Sequence, residues 1–194
     1  MIVLIDNGHG VNTPGKCSPD KRLLEWKWTR EIAVMVANAL KAAGVDARRI
    51  VTEDNDITLR ERCRRVNEVC AKYGSKNVVL VSIHVNAAGG DGKWHDARGF
   101  SVWVSKKGSN NSKRLAQLMY DEAERLNLKG NRYVPKERYW QSNFTIITDT
   151  YCPAVLTENL FQDNMDDVDF LLSDEGKKVI VDMHVSAIQK YIGK

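Results

Sequence analysis

The chain has 194 residues, 43% of them hydrophobic and 28% charged, with a formal net charge of +4. This composition is ordinary for a soluble globular protein, and the length suits one domain, residues 1–194, with a sizeable core. No apolar run approaches the roughly 18 residues of a membrane helix, and no recognised nucleic-acid-binding motif is present, so neither membrane insertion nor a nucleic-acid partner is expected.

Apolar runs alternate with helical patterns along the chain, which is typical of a layered α/β protein. Strands are predicted at residues 2–5, 45–51, 78–83, 99–104, 144–148 and 154–157. Helices are predicted at residues 28–43, 59–73, 111–126 and 174–191. The run 78–83 is the most continuous, as expected of a central parallel strand. We predict a single three-layer αβα domain with a mostly parallel, twisted central sheet of about six strands and helices on both faces.

The N-terminal apolar run, residues 2–5, is interrupted by Asp6 and has no basic leader. It is therefore not expected to be a secretory signal. The chain is expected to be either a trimmed form of a secreted protein or a protein that leaves its cell by another route.

Four polar residues near predicted strand ends and helix starts are spread over the whole chain: His9, Glu25, His84 and Glu158. In open α/β sheets ligands gather at the carboxyl ends of the strands, so these side chains are expected to converge on one edge. Two imidazoles and one carboxylate are a ligand set that catalytic zinc uses. A fourth acid that does not bind the metal can carry protons. Together the four residues indicate a zinc hydrolase.

Each of these residues also has a simpler interpretation. An acid such as Glu25 is often a solvated residue at a helix start, and a strand-end histidine such as His84 often only makes hydrogen bonds. His95 and His184 lie outside every motif and are interpreted as surface or packing residues.

The four cysteines form no C-x-x-C pair, so a cysteine zinc site is not expected. Cys63 and Cys70 lie two turns apart on one predicted helix, about 10 Å along its axis, which is too far for a disulfide. Cys17 is close in sequence to His9 and is a candidate to approach the metal.

Basic residues cluster at positions 48–49, 60–65 and 136–138. Solvated helix faces are the simpler interpretation of these clusters. Weak attraction to an anionic polymer is the alternative.

Several motifs occur in a fixed order along the chain. Residues 6–10 read Asp-Asn-Gly-His-Gly, residues 82–87 read Ser-Ile-His-Val-Asn-Ala, and residues 153–164 contain Pro-Ala-Val-Leu-Thr-Glu. Between the first two stand Glu25 and a Leu-x-x-Arg sequence at residues 59–62. In this order, over essentially the full chain, the sequence closely resembles the zinc-dependent N-acetylmuramoyl-L-alanine amidases of the Amidase_3 type, which cut peptidoglycan.

The resemblance implies that His9, Glu25 and His84 bind one Zn²⁺ per chain and that Glu158 is the catalytic acid/base. The implied reaction is hydrolysis of the amide between the lactyl group of N-acetylmuramic acid and L-alanine of the stem peptide. One alternative is another zinc amide hydrolase, such as a peptidase or deacetylase, although the H-E-x-x-H signature is absent. A non-catalytic wall-binding module is the other.

The resemblance further implies a protein that acts on the bacterial cell wall, in the periplasm or outside the cell, as an autolysin or a phage or prophage endolysin. Peptidoglycan is then its partner. Some relatives carry a long inserted helix that plugs the zinc until an activator removes it. Residues 129–143 here are too short and lack the apolar stripe of such a helix. An open cleft, a monomer and activity without an activator are therefore expected.

Four further residues are candidates to contact the substrate or to orient the site: Asn86, Asn159, Arg132 and Trp140. The segment around the last two mixes basic and aromatic side chains, which suits a groove wall facing sugar rings and peptide carboxylates. Simple packing of its aromatic residues is an equal interpretation.

Overall fold

A six-stranded sheet with helices on both faces spans residues 1–194, all of which are described in a computed structural model. The strands are β1 (Ile2–Asn7), β2 (Asp46–Arg49), β3 (Val78–Asn86), β4 (Ser101–Val104), β5 (Trp140–Gln141) and β6 (Ala154–Phe161). The helices are α1 (Glu25–Ala42), α2 (Leu59–Tyr73), α3 (Asn110–Arg125), α4 (Thr145–Thr148), α5 (Met165–Leu172) and α6 (Asp174–Ile192). None of these helices is both long and apolar enough to cross a membrane.

The strands lie in the order β2-β1-β3-β6-β4-β5. The first four are parallel to one another, whereas β4 runs antiparallel to β6 and β5 is parallel to β4. The prediction of a mostly parallel sheet with about six strands is confirmed. The register places His84 and Ser101 beside Glu158, one on each side. Because paired residues on neighbouring strands share a face, these three side chains lie next to each other on one face of the sheet.

Side chains alternate between two cores along the central strands. Odd-numbered residues such as Val3, Val81 and Val155 belong to the larger core, which includes side chains of α1, α3 and α6. Even-numbered residues such as Leu4 and Leu80 belong to the smaller core with α2 and α4. The two cores establish the predicted three layers. Toward the carboxyl ends of the strands, the second face carries polar side chains, and there a site can form.

The predicted strand at residues 144–148 is wrong, because this segment contains the one-turn helix α4. Ile146 and Ile147 are both buried in the smaller core. A strand would send successive side chains to opposite faces, so the helical turn is what lets both enter one core. The strand beside β4 is instead β5, which the sequence did not predict. Helix α5 was also not predicted, although its cap is regular: the Asn164 side chain accepts a hydrogen bond from the Asp167 amide.

The predicted helix ends are confirmed in part. Gly44 follows α1 with a φ of 71°, the left-handed conformation that glycine adopts at helix ends. The Thr58 side chain accepts a hydrogen bond from the Glu61 amide at 3.3 Å and so caps α2. Helix α1 begins at Glu25, three residues before the predicted start at position 28. Glu25 therefore lies in the first turn of the helix.

His184 on α6 is a packing residue with no exposed surface. Its Nδ1 lies 2.8 Å from the Ile180 carbonyl and its Nε2 lies 3.0 Å from Thr157 Oγ1, so the neutral imidazole is satisfied on both sides. Burial lowers the pKa of His184 to about 4, against 6.5 for an ordinary histidine. The folded protein therefore holds this ring neutral at pH values where the unfolded chain already binds a proton.

Acidification is expected to destabilise the fold through this histidine. Its contribution is complete above pH 6.5 and is lost as the pH falls toward 4, because only the unfolded state gains the proton in that window. Since one pKa unit is worth about 1.4 kcal/mol, the loss in the free energy of unfolding is about 3 kcal/mol. Urea unfolding of the wild type and of His184→Met between pH 7 and pH 4 measures it.

The His184→Met variant should lose less stability than the wild type over this pH range. His95→Gln is the matched control, because the His95 ring lies near the surface beside Asp91. It should keep a pH dependence close to that of the wild type. Parallel curves for the wild type and His184→Met would contradict the assignment.

Candidate metal centre

Three of the predicted ligands converge at the carboxyl edge of the sheet. One nitrogen or oxygen from each of His9, Glu25 and His84 lies within 4.8 Å of the others, and this group could hold a metal ion. Glu25 Oε1 lies 3.4 Å from His9 Nε2 and 3.1 Å from His84 Nδ1. The two imidazole rings stand perpendicular, with centroids 5.0 Å apart. The chain segments that supply these residues are the turn after β1, the start of α1 and the end of β3.

The turn after β1 gives His9 its place. The His9 backbone is left-handed, with a φ of 60°. The His9 carbonyl accepts hydrogen bonds from Arg30 Nη2 at 3.0 Å and from Arg62 Nη2 at 3.1 Å. A Cβ at Gly8 would lie 2.3 Å from the His84 ring, and a Cβ at Gly10 would lie 2.0 Å from a backbone nitrogen. Glycine at position 8 therefore permits the close approach of the His84 ring, and glycine at position 10 permits the close approach of the Asp56 backbone.

Arg62 is buried, and this corrects the interpretation of the 60–65 cluster as a solvated helix face. Its guanidinium is 2% exposed and lies 2.6 Å from Asp6 Oδ1 and 2.9 Å from Asp56 Oδ1. It also donates to the Asn7 carbonyl at 2.6 Å. A buried charge needs such paired, hydrogen-bonded surroundings to be tolerated. The network links α2 to both sides of the turn that carries His9.

The remaining basic residues of the predicted clusters are largely paired. Arg48 contacts Asp46, Arg65 contacts Glu53 and Glu61, and Arg138 contacts Asp121. These ion pairs neutralise most of the local positive charge and fit the simpler interpretation of solvated faces.

Glu25 is the shared centre of the group. It is 1% exposed, and its Oε1 also accepts a hydrogen bond from the Val85 amide at 3.0 Å. Burial alone would raise the pKa of Glu25, but hydrogen bonds to His84 and His9 outweigh burial and hold the pKa below its usual value. The carboxyl is therefore ionised and able to bind a cation. Its second oxygen, Oε2, is buried without a hydrogen-bond partner, which fits a group that receives a metal.

Glu25 acts in turn on His84. Burial opposes the charged imidazolium, but the hydrogen bond to Glu25 outweighs it and raises the pKa of His84. This corner of the protein therefore attracts a positive charge, whether a proton or a metal ion.

Glu158 lies on β6 beside His84 and outside the group of three. It is within the strand, not at its end as the sequence predicted, because β6 continues to Phe161. Burial raises the pKa of Glu158 to about 7, and Glu25 adds to the rise, whereas the charges of His84, Lys16 and Arg132 oppose it. Its Oε2 is buried without a partner. Glu158 is thus a buried carboxyl beside the candidate metal centre, with a pKa near 7 and an Oε2 that forms no hydrogen bond.

The two asparagines hold the strand ends beside this group. Asn159 is fully buried, and its Nδ2 donates to the His84 carbonyl at 2.8 Å. Asn86 turns back to accept from the Ala87 amide at 2.9 Å. Both contacts restrain the backbone that follows or flanks His84, and an orienting role for these residues stays a prediction.

Arg132 and Trp140 are brought together at the other side of Glu158. The Arg132 guanidinium lies over the Trp140 ring at 5.3 Å and over the Phe161 ring at the same distance. Trp140 packs against Trp103 and Tyr120. The Trp140 ring therefore packs against other side chains of the protein, as one interpretation of this segment expects. The Arg132 guanidinium beside it is the basic group that the other interpretation, a groove wall, requires.

All four cysteines are free, and Cys17 is not part of the metal group. It pairs through the backbone with Leu24 and lines a separate cavity of about 210 Å³ with Gln162 and Asp163.

Sequence reasoning missed the roles of Arg30 and Asp6, which position the His9 turn. The Leu-x-x-Arg motif was the one available signal for Arg62.

The fold and the site together define an α/β enzyme with a candidate metal centre at the carboxyl edge of its sheet. The particular family follows from comparison with known proteins. The chain belongs to the N-acetylmuramoyl-L-alanine amidases of the Amidase_3 family, whose model matches residues 3–190. The resemblance seen in the motifs is thereby confirmed.

Two curated relatives cover almost the whole chain. One is an endolysin of Bacillus phage SPP1, 24% identical over 98% of this chain and 66% of the relative. The other is the N-acetylmuramoyl-L-alanine amidase CwlM of Bacillus licheniformis, 27% identical over 97% of this chain and 67% of the relative. The chain thus spans about two thirds of the length of these relatives.

Solved structures show the same fold. An N-acetylmuramoyl-L-alanine amidase from Clostridium difficile 630 matches with a TM-score of 0.81 and 26% identity, over 100% of this chain and 97% of that one. The CwlD amidase from Clostridioides difficile, solved in complex with the GerS lipoprotein, matches with a TM-score of 0.81 and 21% identity, over 99% and 98%.

Proposed function

We propose that residues 1–194 form a catalytic domain that hydrolyses, with zinc, the amide between the lactyl group of N-acetylmuramic acid and L-alanine of the peptidoglycan stem peptide. His9, Glu25 and His84 hold the zinc, and Glu158 carries the proton. One observation carries the proposal: three metal-type ligands within 4.8 Å of one another stand beside a buried carboxyl that binds none of them.

The ligand set fits zinc rather than a harder cation. Two imidazoles and one carboxylate match catalytic zinc sites with an open position, whereas calcium and magnesium prefer oxygen ligands. Glu25 holds one oxygen toward both histidines and keeps the other free of protein hydrogen bonds. Both histidine side chains retain some exposure, 19% for His9 and 17% for His84, so a water and a substrate can reach them.

Zinc, when bound, supplies polarisation of the amide carbonyl and lowers the pKa of water. Glu158 takes the proton of the attacking water and later delivers it to the departing nitrogen of L-alanine. A carboxyl with a pKa near 7 suits both transfers, because it neither holds the proton too tightly nor releases it too readily. The Arg62 and Asn159 contacts hold the His9 and His84 backbones in place during these steps.

We further propose that the domain acts as a monomer on bacterial cell walls and needs no activator. Residues 129–143 contain only the short strand β5 and no helix. A cavity of about 200 Å³ is lined by both histidines and by Asp56 and Arg62, so the centre is reachable. CwlD was solved in complex with a lipoprotein. Whether this chain is active without a partner is therefore tested with the purified chain alone.

Product analysis with the purified chain alone tests the function. Digestion of purified peptidoglycan should release stem peptides with a new N-terminal alanine, with no new reducing sugar ends. A chelator should stop the reaction and added zinc should restore it. Other new N-termini would indicate a peptidase, released acetate a deacetylase, and no product a wall-binding module or a missing activator.

A further inference from the structure

Arg132 is a half-buried cation whose hydrogen-bonding capacity is almost unused. Its guanidinium makes one hydrogen bond, from Nη1 to Ser101 Oγ at 3.3 Å, and is otherwise held between the Trp140 and Phe161 rings. A guanidinium has five N–H donors. No carboxylate of the chain forms an ion pair with it, in contrast to Arg138 in the same segment, which pairs with Asp121 and Glu124.

The position of Arg132 follows from the sheet register. Ser101 on β4 is directly opposite Glu158 on β6. Opposed residues on antiparallel strands have Cβ atoms about 4.5–5.5 Å apart on the same face. A guanidinium bonded to the Ser101 hydroxyl therefore lies within about 10 Å of the Glu158 carboxyl, on the face that carries His84.

Two contacts fix the guanidinium without neutralising it. The contacts with the Trp140 and Phe161 rings restrain the group, and its other N–H donors stay free for a planar, bidentate anion. The Ser101 hydroxyl also accepts from Trp103 Nε1 at 3.2 Å, so it is itself held in place. Preorganised, half-buried and unpaired donors of this kind suit a carboxylate ligand.

We propose that Arg132 binds a free carboxylate of the stem peptide, on the acidic residue that follows L-alanine, and thereby selects acidic over amidated stems. This inference rests on the proposed function. The carboxylate nearest to the scissile amide lies one residue further along the peptide, and successive Cα atoms are about 3.8 Å apart. A carboxylate one residue along the peptide is therefore within reach of a guanidinium that lies within about 10 Å of the Glu158 carboxyl.

The test compares two soluble muramoyl peptides that differ only at this group, the free carboxylate and its carboxamide. For the free acid, Arg132→Gln should raise KM by about tenfold to a hundredfold, as expected for a lost charge-assisted hydrogen bond, with kcat changed less than threefold. For the carboxamide, both parameters should stay close to the wild type. Arg132→Lys keeps the positive charge but not the planar set of N–H donors, so KM for the free acid should return part of the way to the wild-type value.

Arg138→Gln is the matched control, because it removes a guanidinium from the same segment that is already paired on α3. It should leave the acid-to-amide preference unchanged. Thermal unfolding of each variant checks that the fold is kept. If Arg132→Gln fails to fold, Arg132→Lys carries the comparison.

Calorimetric binding of the two free stem peptides separates this inference from the proposed function. If the wild type cleaves neither substrate, the proposed function fails, and preferential binding of the acidic peptide that depends on Arg132 still supports the subsite. Equal loss of kcat on both substrates would place Arg132 at the reacting atoms instead. Loss of preference in Lys16→Gln but not in Arg132→Gln would assign the carboxylate to Lys16, the other cation acting on Glu158. Either result overturns the proposal.

Discussion

Replacing His84 with alanine is expected to remove zinc and activity together. The variant leaves His9 and Glu25 as the only protein ligands and takes away the ring that lies 3.1 Å from Glu25 Oε1. Groups that merely support a metal ligand cost about 10- to 100-fold when removed, so the loss of a ligand itself should exceed a hundredfold. Metal analysis after dialysis and turnover on peptidoglycan measure the two effects on the same sample.

The matched control is His95→Ala, which removes an imidazole outside the metal group. It should keep one zinc per chain and the wild-type turnover. Thermal unfolding of both variants in a chelator tests the fold without the metal, where His84→Ala should remain folded because both cores are untouched. Full zinc occupancy in His84→Ala would show that the ligand set is wrong.

The regular parts of the fold were predictable because their signals are local. The run at residues 78–83 is apolar on both faces, and the glycine and threonine at the ends of the first two helices mark their boundaries in the sequence. The prediction of a strand at residues 144–148 was wrong for a physical reason. Two adjacent isoleucines fit a strand as well as a helical turn, and only the position of the smaller core decides between them.

The three candidate ligands that converge in the fold could be singled out from their residue types and motifs, but the contacts that hold them in place could not. Arg62 stands in an arginine-rich helix where its neighbours Arg64 and Arg65 pair with exposed or half-exposed acids. Only the folded chain shows that Arg62 reaches Asp6, 56 positions earlier, and the carbonyl of His9. The location of Arg132 likewise depends on how a 15-residue connection packs against β4, which no local pattern encodes.

Replacing Glu158 with glutamine is expected to separate catalysis from metal binding. Glutamine keeps the shape of the side chain but cannot accept and return a proton, so turnover should fall by about a hundredfold or more. Zinc should stay bound, because Glu158 lies outside the group of three ligands. Since the carboxylate form is needed first, wild-type activity should fall as the pH drops through the pKa of Glu158. The residual activity of the variant should lack that dependence.

The control for this variant is Glu31→Gln on α1, an exposed acid paired with Lys177. It removes the same charge from the same protein and should change neither turnover nor zinc content. A cation at the metal centre adds to the charges that already lower the pKa of Glu158, so the acidic limb of the wild type should lie below about pH 7. If Glu158→Gln keeps near wild-type turnover, the proton must be carried by another group. Within the described site no other unattached carboxyl stands beside His84, so a water relay from outside the sheet edge would then have to be sought.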